Sequence, residues 1–112
     1  MKHTVSLKGN RSFRRMYSKG KSAATATLVL YLRRNGTGEN RLGLTVGTKV
    51  GKAVRRNRVR RRLREIYRLH EAEMRRGWDI VAVARTRAAE ASYRELEGDF
   101  LRAAARLGLK TP

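Results

Sequence analysis

The chain has 112 residues, of which 28 are Lys or Arg and 9 are Asp or Glu, so its formal net charge at pH 7 is +19. This length predicts a single domain over residues 1–112, and the charge predicts a polyanionic partner, with nucleic acid favoured over an anionic membrane surface. The chain has no cysteine, which excludes disulfide and zinc-thiolate chemistry. It also has no apolar run of about 20 residues and no signal-peptide core, so we expect a cytoplasmic protein.

The amino-terminal part is predicted to form one short helix. Residues 1–9 have no clear period and are expected to run extended over the surface. Asn10 or Ser12 is expected to cap a helix that continues through Ser18 and ends at Gly20. Three large side chains share one face of this helix, at spacings i, i+3 and i+4: Phe13, Met16 and Tyr17.

Two strands are predicted next, over Thr25–Leu32 and Arg41–Gly47. They are joined by a turn that contains the hairpin signal Asn35-Gly36, so we expect the two strands to pair. Alternation places aliphatic side chains on one face, toward a core: Leu28, Leu30, Leu32, Leu42, Leu44 and Val46. The opposite face is small, polar and aromatic and is expected to be an open platform, with Val29, Tyr31, Arg41, Gly43 and Thr45.

The most basic stretch is Lys49–Arg68, which reads KVGKAVRRNRVRRRLREIYR. It predicts a helix from about Ala53 to Arg75 that is entered through Gly51 and capped by Gly77. At about 100° per residue, one stripe of the helix is apolar: Val59, Leu63, Ile66, Tyr67, His70 and Met74. A second stripe on the far side presents basic groups with an asparagine at its head: Asn57, Arg61, Arg64 and Arg68.

The carboxyl-terminal part is predicted to form a strand and a helix. Trp78–Ala84 is apolar on both faces, which favours a covered strand with a parallel neighbour. After a connector, Ser92 and Glu95 form a capping box that opens a helix ended by Gly108. The order of elements predicts an α+β sandwich with helices on a sheet.

The residues do not predict a self-contained active site or a metal site. His70 lies on the apolar stripe, so a position at the edge of the core is favoured over a role as ligand or general base. The nine carboxylates form no HExxH or DxD pattern, and the stretch Gly36-Thr37-Gly38 is typical of a turn rather than a phosphate loop.

RNA binding is the function that the pattern favours. Arginine forks suit phosphate oxygens, and aromatic side chains beside positive charge suit base stacking, for which Phe13, Tyr17 and Tyr31 are candidates. Ordinary core packing is the alternative for Phe13 and Tyr17. DNA binding is the competing class, but no helix-turn-helix, zipper or finger pattern accompanies the basic helix.

Lys49–Arg58 followed by Arg61 closely resembles the signature of the bacterial ribonuclease P protein component family, with an Arg-Asn-Arg core at 56–58. Other segments are similar to the first helix and the strands of that family: Phe13–Tyr17 with Gly20, Leu28–Tyr31, Arg41–Val46, and Trp78–Val81 followed by Ala84-Arg85. The resemblance implies a two-layer α-β-β-β-α-β-α sandwich of the ribosomal S5 domain 2-like type, with a left-handed β-α-β crossover.

The resemblance also implies the activity. The chain would be a subunit of an endoribonuclease that removes the 5′ leader of precursor tRNA, with the catalytic centre in an RNA subunit and Mg²⁺ held mainly by that RNA. Ribonuclease P RNA and precursor tRNA are the expected partners, with no membrane and no obligatory protein partner.

The expected contacts fall into two groups. Contacts to the RNA subunit are expected from Lys49, Lys52, Arg55, Arg56, Asn57, Arg58, Arg61, Arg64 and Arg68. A cleft for the leader is expected from Phe13, Tyr17, Val29 and Tyr31. The sequence departs from the family where Lys52 replaces a common Asn, Tyr17 replaces a common Phe, and Thr25–Leu28 lacks a basic and aromatic pattern.

Three other classes stay open at this point. A small ribosomal protein would explain the charge equally well. A stand-alone protein nuclease would need a carboxylate or histidine cluster that the pattern lacks, and a membrane-active cationic domain fits poorly with an arginine row beside a folded core.

Overall fold

A five-stranded mixed sheet organises the computed structural model, which describes residues 1–111. Its strands are β1 (Thr4–Ser6), β2 (Lys21–Ala24), β3 (Leu28–Arg34), β4 (Asn40–Thr45) and β5 (Trp78–Ala84). The helices in the described residues are α1 (Asn10–Lys19), α2 (Ala53–His70) and α3 (Tyr93–Arg106), with short 3₁₀ turns at Thr48–Val50, Glu71–Glu73 and Thr86–Ala89. The spatial order is β1-β4-β5-β3-β2, in which β1, β4 and β5 are parallel and β3 runs antiparallel to β5 and β2.

Strand β5 lies between β3 and β4, so the predicted pairing of those two strands with each other is wrong. In the central rows, Ala82 of β5 is flanked by Leu30 on one side and Leu44 on the other. β5 is apolar on both faces and nearly all of it is buried, so a central place covers more of its surface than an edge would. The predicted parallel neighbour of β5 is confirmed as β4.

The segment predicted as one strand over Thr25–Leu32 is a bend followed by a strand. The chain pairs first as β2, turns at residues 25–27, and returns as β3. Thr27 is buried at this turn, where its amide and hydroxyl donate hydrogen bonds to Asp99 of α3 at 3.1 and 2.5 Å. These two bonds satisfy the buried amide and hydroxyl of Thr27 at a point where the chain leaves the β-ladder.

The amino terminus is more ordered than its lack of pattern predicts. Residues 4–6 form β1, which pairs in parallel with β4. The N-cap of α1 is Gly9, with φ of 94°, so the prediction that Asn10 or Ser12 caps this helix is wrong. A positive φ is open to glycine, which explains why the chain enters the helix there. The predicted end is confirmed, because the Gly20 amide donates to the Met16 carbonyl.

Helix α2 ends at His70, five residues before the predicted end at Arg75. A 3₁₀ turn follows, and Met74 continues in an extended conformation and bridges to Lys110. Glu71 explains the early end, because its buried carboxylate accepts hydrogen bonds from the backbone amides of Lys2 and His3 at 2.8 and 3.3 Å. Gly77, with φ of 91°, lies in the turn into β5 and does not cap α2.

The core lies between one face of the sheet and the helices α2 and α3. The leucine face of β3 and β4 packs there as predicted, together with Ile80 and Ala82 of β5. Helix α3 starts with the predicted capping box of Ser92 and Glu95. Helix α1 lies on the opposite face, where Met16 packs on Val81. The predicted α+β sandwich is therefore confirmed, with β1 added before α1 and with α1 on the face of the sheet opposite α2 and α3. The left hand of the β4-α2-β5 crossover stays a prediction.

A buried polar network joins four elements at the edge of this core. Asn40 is fully buried at the start of β4, and its side-chain amide donates to the Tyr67 hydroxyl at 3.1 Å and to the Arg75 carbonyl at 2.9 Å. Its side-chain oxygen accepts from the Trp78 amide at 3.0 Å. The Tyr67 hydroxyl in turn is 2.8 Å from the Thr4 hydroxyl. These bonds fix β1, β4, α2 and β5 relative to one another.

We expect Asn40→Ala to lower the free energy of unfolding by about 3 kcal/mol, because it removes one partner of the buried Tyr67 hydroxyl and the side-chain partner of the partly buried Trp78 amide and Arg75 carbonyl. Urea denaturation followed by circular dichroism measures the change. Asn10→Ala is the matched control: Asn10 is exposed and should stay within about 0.5 kcal/mol of the wild type. Equal stability of the two variants would contradict the role given to this network.

Candidate nucleic-acid interface

Helix α2 presents a basic outer face, as its periodicity predicts. Within α2, four members of the apolar stripe are buried: Val59, Leu63, Ile66 and Tyr67. Met74, which lies beyond the end of the helix, is buried as well. All four members of the opposite stripe are exposed: Asn57, Arg61, Arg64 and Arg68. Because the buried stripe holds the helix on the core, the guanidinium groups are displayed from a rigid support.

Two of the arginines predicted to contact the RNA subunit already bond to other groups of the protein. Arg56 is half-buried, and its Nε donates to the Gly51 carbonyl at 3.1 Å, which ties the helix to the turn before it. Arg68 pairs with Glu65 of the same helix, with Nε 3.2 Å from the carboxylate. Both arginines therefore have protein partners, and an RNA phosphate would have to share or displace those contacts.

The other basic residues of the set are exposed. They begin in the 3₁₀ turn before α2 and continue along its first turns: Lys49, Lys52, Arg55, Arg58, Arg61 and Arg64. Val54 is also on this surface and is 83% exposed, in a pocket shared with Lys52 and Arg58. The start of α2 thus combines positive charge with an apolar contact surface.

The structure adds two arginines of α2 that the predicted set omitted. Arg60 donates to the Asn57 side-chain oxygen at 2.9 Å and, with Arg64, lines a pocket of about 210 Å³ that also includes Phe13 and Gly43. Arg62 donates to the Ala91 carbonyl at 3.3 Å, beside α3. The spacing of Arg60 and Arg64 at i and i+4 could have indicated from the sequence that Arg60 belongs to the basic face. The pocket that Arg60 shares with residues of β1 and β4 is visible only in the fold.

The residues predicted for the leader cleft lie where α1 crosses the open face of the sheet. Met16 is buried against Val81 and anchors the helix. Phe13 lies on Gly43 of β4 so closely that a Cβ on that glycine would be 2.8 Å from the ring. Phe13 is half-buried, so it serves both the packing of α1 and the surface of the cleft.

Two tyrosines form the exposed wall of this cleft. The rings of Tyr17 and Tyr31 meet edge to face with centroids 5.0 Å apart, and the Tyr17 hydroxyl lies 3.2 Å from the Thr45 hydroxyl. Tyr17 is 42% exposed, so core packing does not account for it. Val29 lies two residues from Tyr31 on the same face of β3 and is half-buried. The structure therefore places all four predicted cleft residues on one side of the sheet, with Asn10 and Arg14 at the rim.

His70 occupies a position at the edge of the core, as predicted. Its Nδ1 is 2.6 Å from Glu73 and its Nε2 is 2.9 Å from Glu97 of α3. The hydrogen bond to Glu97, supported by Glu73, raises the pKa of His70 despite partial burial. A histidine held by two carboxylates stabilises the packing of α2 on α3 and is poorly placed to act as a general base.

Among residues 1–111, no group of three or more His, Asp or Glu side chains has the arrangement needed to hold a metal ion. Within the same range, no helix combines the length and the apolar composition needed to cross a bilayer. The exposed arginines of α2 offer phosphate binding, and Tyr17 and Tyr31 offer base stacking.

We expect Gly43→Ala to destabilise the protein by about 1–2 kcal/mol, because the new methyl group would overlap the Phe13 ring. Thermal or urea denaturation measures this change. Gly38→Ala is the matched control, since a Cβ there meets no heavy atom within 4 Å and should be neutral or slightly stabilising. If Gly43→Ala behaved as the control does, Phe13 would not be seated on β4.

Comparison with known proteins agrees with this geometry. The family model for ribonuclease P matches residues 1–108. The ribonuclease P protein component of Natranaerobius thermophilus is 45% identical over 102 residues, which cover 91% of this chain and 89% of that protein. The structure of the Staphylococcus aureus RNase P protein has a TM-score of 0.87 at 29% identity and covers 95% of this chain and 97% of its own. The RNase P protein from Thermotoga maritima gives a TM-score of 0.80 at 33% identity, covering 87% of this chain and 92% of its own. The chain belongs to the ribonuclease P protein family.

Proposed function

We propose that this chain binds ribonuclease P RNA through the outer face of α2 and the 5′ leader of precursor tRNA through the cleft between α1 and the sheet. As a ribonuclease P protein component, it is a subunit of the endoribonuclease of tRNA 5′ maturation and works with an RNA subunit. The observation that carries the proposal is that the two surfaces differ in chemistry and are held by one fold.

The α2 surface suits a folded RNA. Its exposed arginines lie at helical spacing on a supported helix, so several can meet phosphates of one backbone together. Each phosphate that is neutralised releases counterions, which makes the affinity steeply dependent on salt. By screening phosphate repulsion in this way, the chain would help a large RNA keep its fold at low magnesium.

The cleft suits a single strand. Tyr17 and Tyr31 offer aromatic faces and edges on which unpaired bases can stack, and stacking is worth about 1–3 kcal/mol per base. Arg14 at the rim offers a phosphate contact beside them. Because stacking uses a surface that every base has, this cleft would accept leaders of varied sequence and would favour precursor over mature tRNA.

We propose that the RNA subunit holds the magnesium ions, which would supply the catalysis of phosphodiester hydrolysis. The described residues do not fit a cage for such an ion, because they include no cluster of three or more His, Asp or Glu side chains arranged to coordinate one. The part of this chain is to bind and orient the two RNAs.

We expect the wild-type protein to stimulate precursor tRNA cleavage by a bacterial ribonuclease P RNA at low magnesium, because its cations replace part of the screening that magnesium supplies. A cleavage time course with and without protein measures the effect. An unstimulated reaction would refute the proposed function.

The RNA that co-purifies with the chain tests the alternative that the chain is a ribosomal protein. Recovery of ribosomal RNA in place of one stable RNA of intermediate length would favour that alternative.

Two substitutions separate the two surfaces. Arg61→Ala should weaken affinity for the RNA subunit and reduce the slope of log affinity against log salt by about one, as expected for one lost phosphate contact. Tyr31→Ala should mainly reduce the preference for leader-bearing over leaderless substrate, by about fivefold or more, since stacking is lost. Filter binding at several salt concentrations and with both substrates measures these effects.

Arg94→Ala is the control for the loss of one charge, because Arg94 is exposed on α3 and belongs to neither predicted contact set. It should leave leader preference unchanged. The assignment of two surfaces to two RNAs fails if Arg61→Ala and Tyr31→Ala lose the same property to the same extent.

A further inference from the structure

A basic pocket of about 260 Å³ lies where β3 ends and β4 and β5 begin. Its wall contains four arginines and one carboxylate: Arg15, Arg33, Arg34, Arg41 and Asp79. Three of these residues form one row across the sheet, because Arg33, Asp79 and Arg41 are paired in register on neighbouring strands. The pocket belongs neither to the predicted α2 contacts nor to the aromatic cleft.

The single carboxylate of this pocket, that of Asp79, already accepts hydrogen bonds from protein groups. Asp79 is 9% exposed, and one of its oxygens accepts from Arg41 Nε at 2.6 Å and from Asn35 Nδ2 at 3.2 Å. Its other oxygen accepts from Arg41 Nη2 at 3.0 Å. This fork holds Arg41 in place and neutralises one positive charge only.

Three cations of the basic pocket remain uncompensated. Within residues 1–111, Arg15 and Arg33 have no carboxylate at ion-pair distance, and Arg34 lies over the Trp78 ring, 5.1 Å from its centroid. The ion pair that joins β4 to β5 involves only Arg41 and Asp79, so the other arginines are not needed for it. The other arginines repel one another here, and a bound anion would convert that repulsion into attraction.

Helix α1 separates the basic pocket from the aromatic cleft. It crosses the sheet from β4, where Phe13 covers Gly43, toward β3, where Gly20 lies against Leu32. Tyr17 on one flank meets Thr45, whereas Ser12 and Arg15 on the other flank face the pocket. Residues 41 and 45 are four apart on β4, so the two sites are roughly 13 Å apart along the strand.

We infer that the basic pocket binds a phosphate group of an RNA backbone. The guanidinium forks of Arg15 and Arg33 would donate to the phosphate oxygens, with the Ser12 hydroxyl beside them, while Asp79 keeps Arg41 oriented. The inference rests on the proposed function for the identity of the RNA, which is either ribonuclease P RNA or the leader of precursor tRNA.

The test compares two double variants that lose equal charge. Arg15→Gln with Arg33→Gln removes the two uncompensated guanidinium groups, and Arg94→Gln with Arg106→Gln removes two exposed arginines of α3, in the opposite layer. One arm measures Kd for ribonuclease P RNA alone, and the other measures Kd of the assembled holoenzyme for precursor tRNA with a short or a long leader. Both arms are run over a series of salt concentrations.

We expect the pocket variant to bind one of these RNAs about tenfold more weakly than the α3 control, with a salt slope smaller by about 0.7 for each single-strand phosphate lost. A loss with ribonuclease P RNA alone identifies that RNA as the source of the phosphate. A loss that appears only with the long leader identifies the leader. Arg15→Gln alone, which changes an exposed side chain, should give part of the same loss if the double variant folds poorly.

Equal behaviour of the pocket variant and the α3 control in both arms would overturn the inference. Such a result leaves the proposed function intact if the wild-type protein still stimulates cleavage at low magnesium. Failure of the wild-type protein to stimulate cleavage counts against the proposed function, whatever the pocket variant does.

Discussion

The hydrogen bonds of Asn40 are the constraint on which the arrangement of both proposed RNA-binding surfaces depends. Asn40 is fully buried, and it links α2 through Tyr67 to the segments that flank β5 through Arg75 and Trp78. A buried amide tolerates few alternative partners, because each unmet bond costs about 1–3 kcal/mol. The network therefore fixes where α2 lies relative to β4 and β5. The basic face of α2 and the open face of the sheet derive their relative positions from it.

Most of the carboxylates also take part in contacts that hold the fold together. Of the nine carboxylates, all except Glu39 and Glu90 bond within the described residues to backbone, histidine, arginine or lysine groups. Glu71 shows how strongly such contacts act: burial raises its pKa, but hydrogen bonds from Thr4 and from the Lys2 and His3 amides outweigh burial and lower it. Because most of the acids are paired within the described residues, most arginines have no carboxylate partner and remain available for a polyanion.

Local patterns in the sequence predicted the elements whose signals are local. The stripe from Val59 to Tyr67 and the capping box at Ser92 need only the helical repeat, and both are confirmed. The position of β5 between β3 and β4 depends on partners that are 38 residues away on β4 and 44 to 56 residues away on β3. The local hairpin signal at Asn35 therefore pointed to the wrong pairing. The same limit applies to the site: alternation found Tyr31, but the basic pocket joins α1 to three strands and has no local signature.

Helix α1 explains how one small sheet can hold more than one RNA contact. Met16 fixes the helix on the sheet, and the two flanks of the helix then carry different chemistry. Tyr17 and Phe13 give one flank aromatic surface, whereas Arg15 gives the other flank charge. Phe13 also reaches the pocket that Arg64 of α2 lines, so the aromatic cleft and the basic helix share a border. If the proposed assignments hold, a leader on the sheet would lie beside the RNA bound by α2, and the substrate would be next to the RNA subunit.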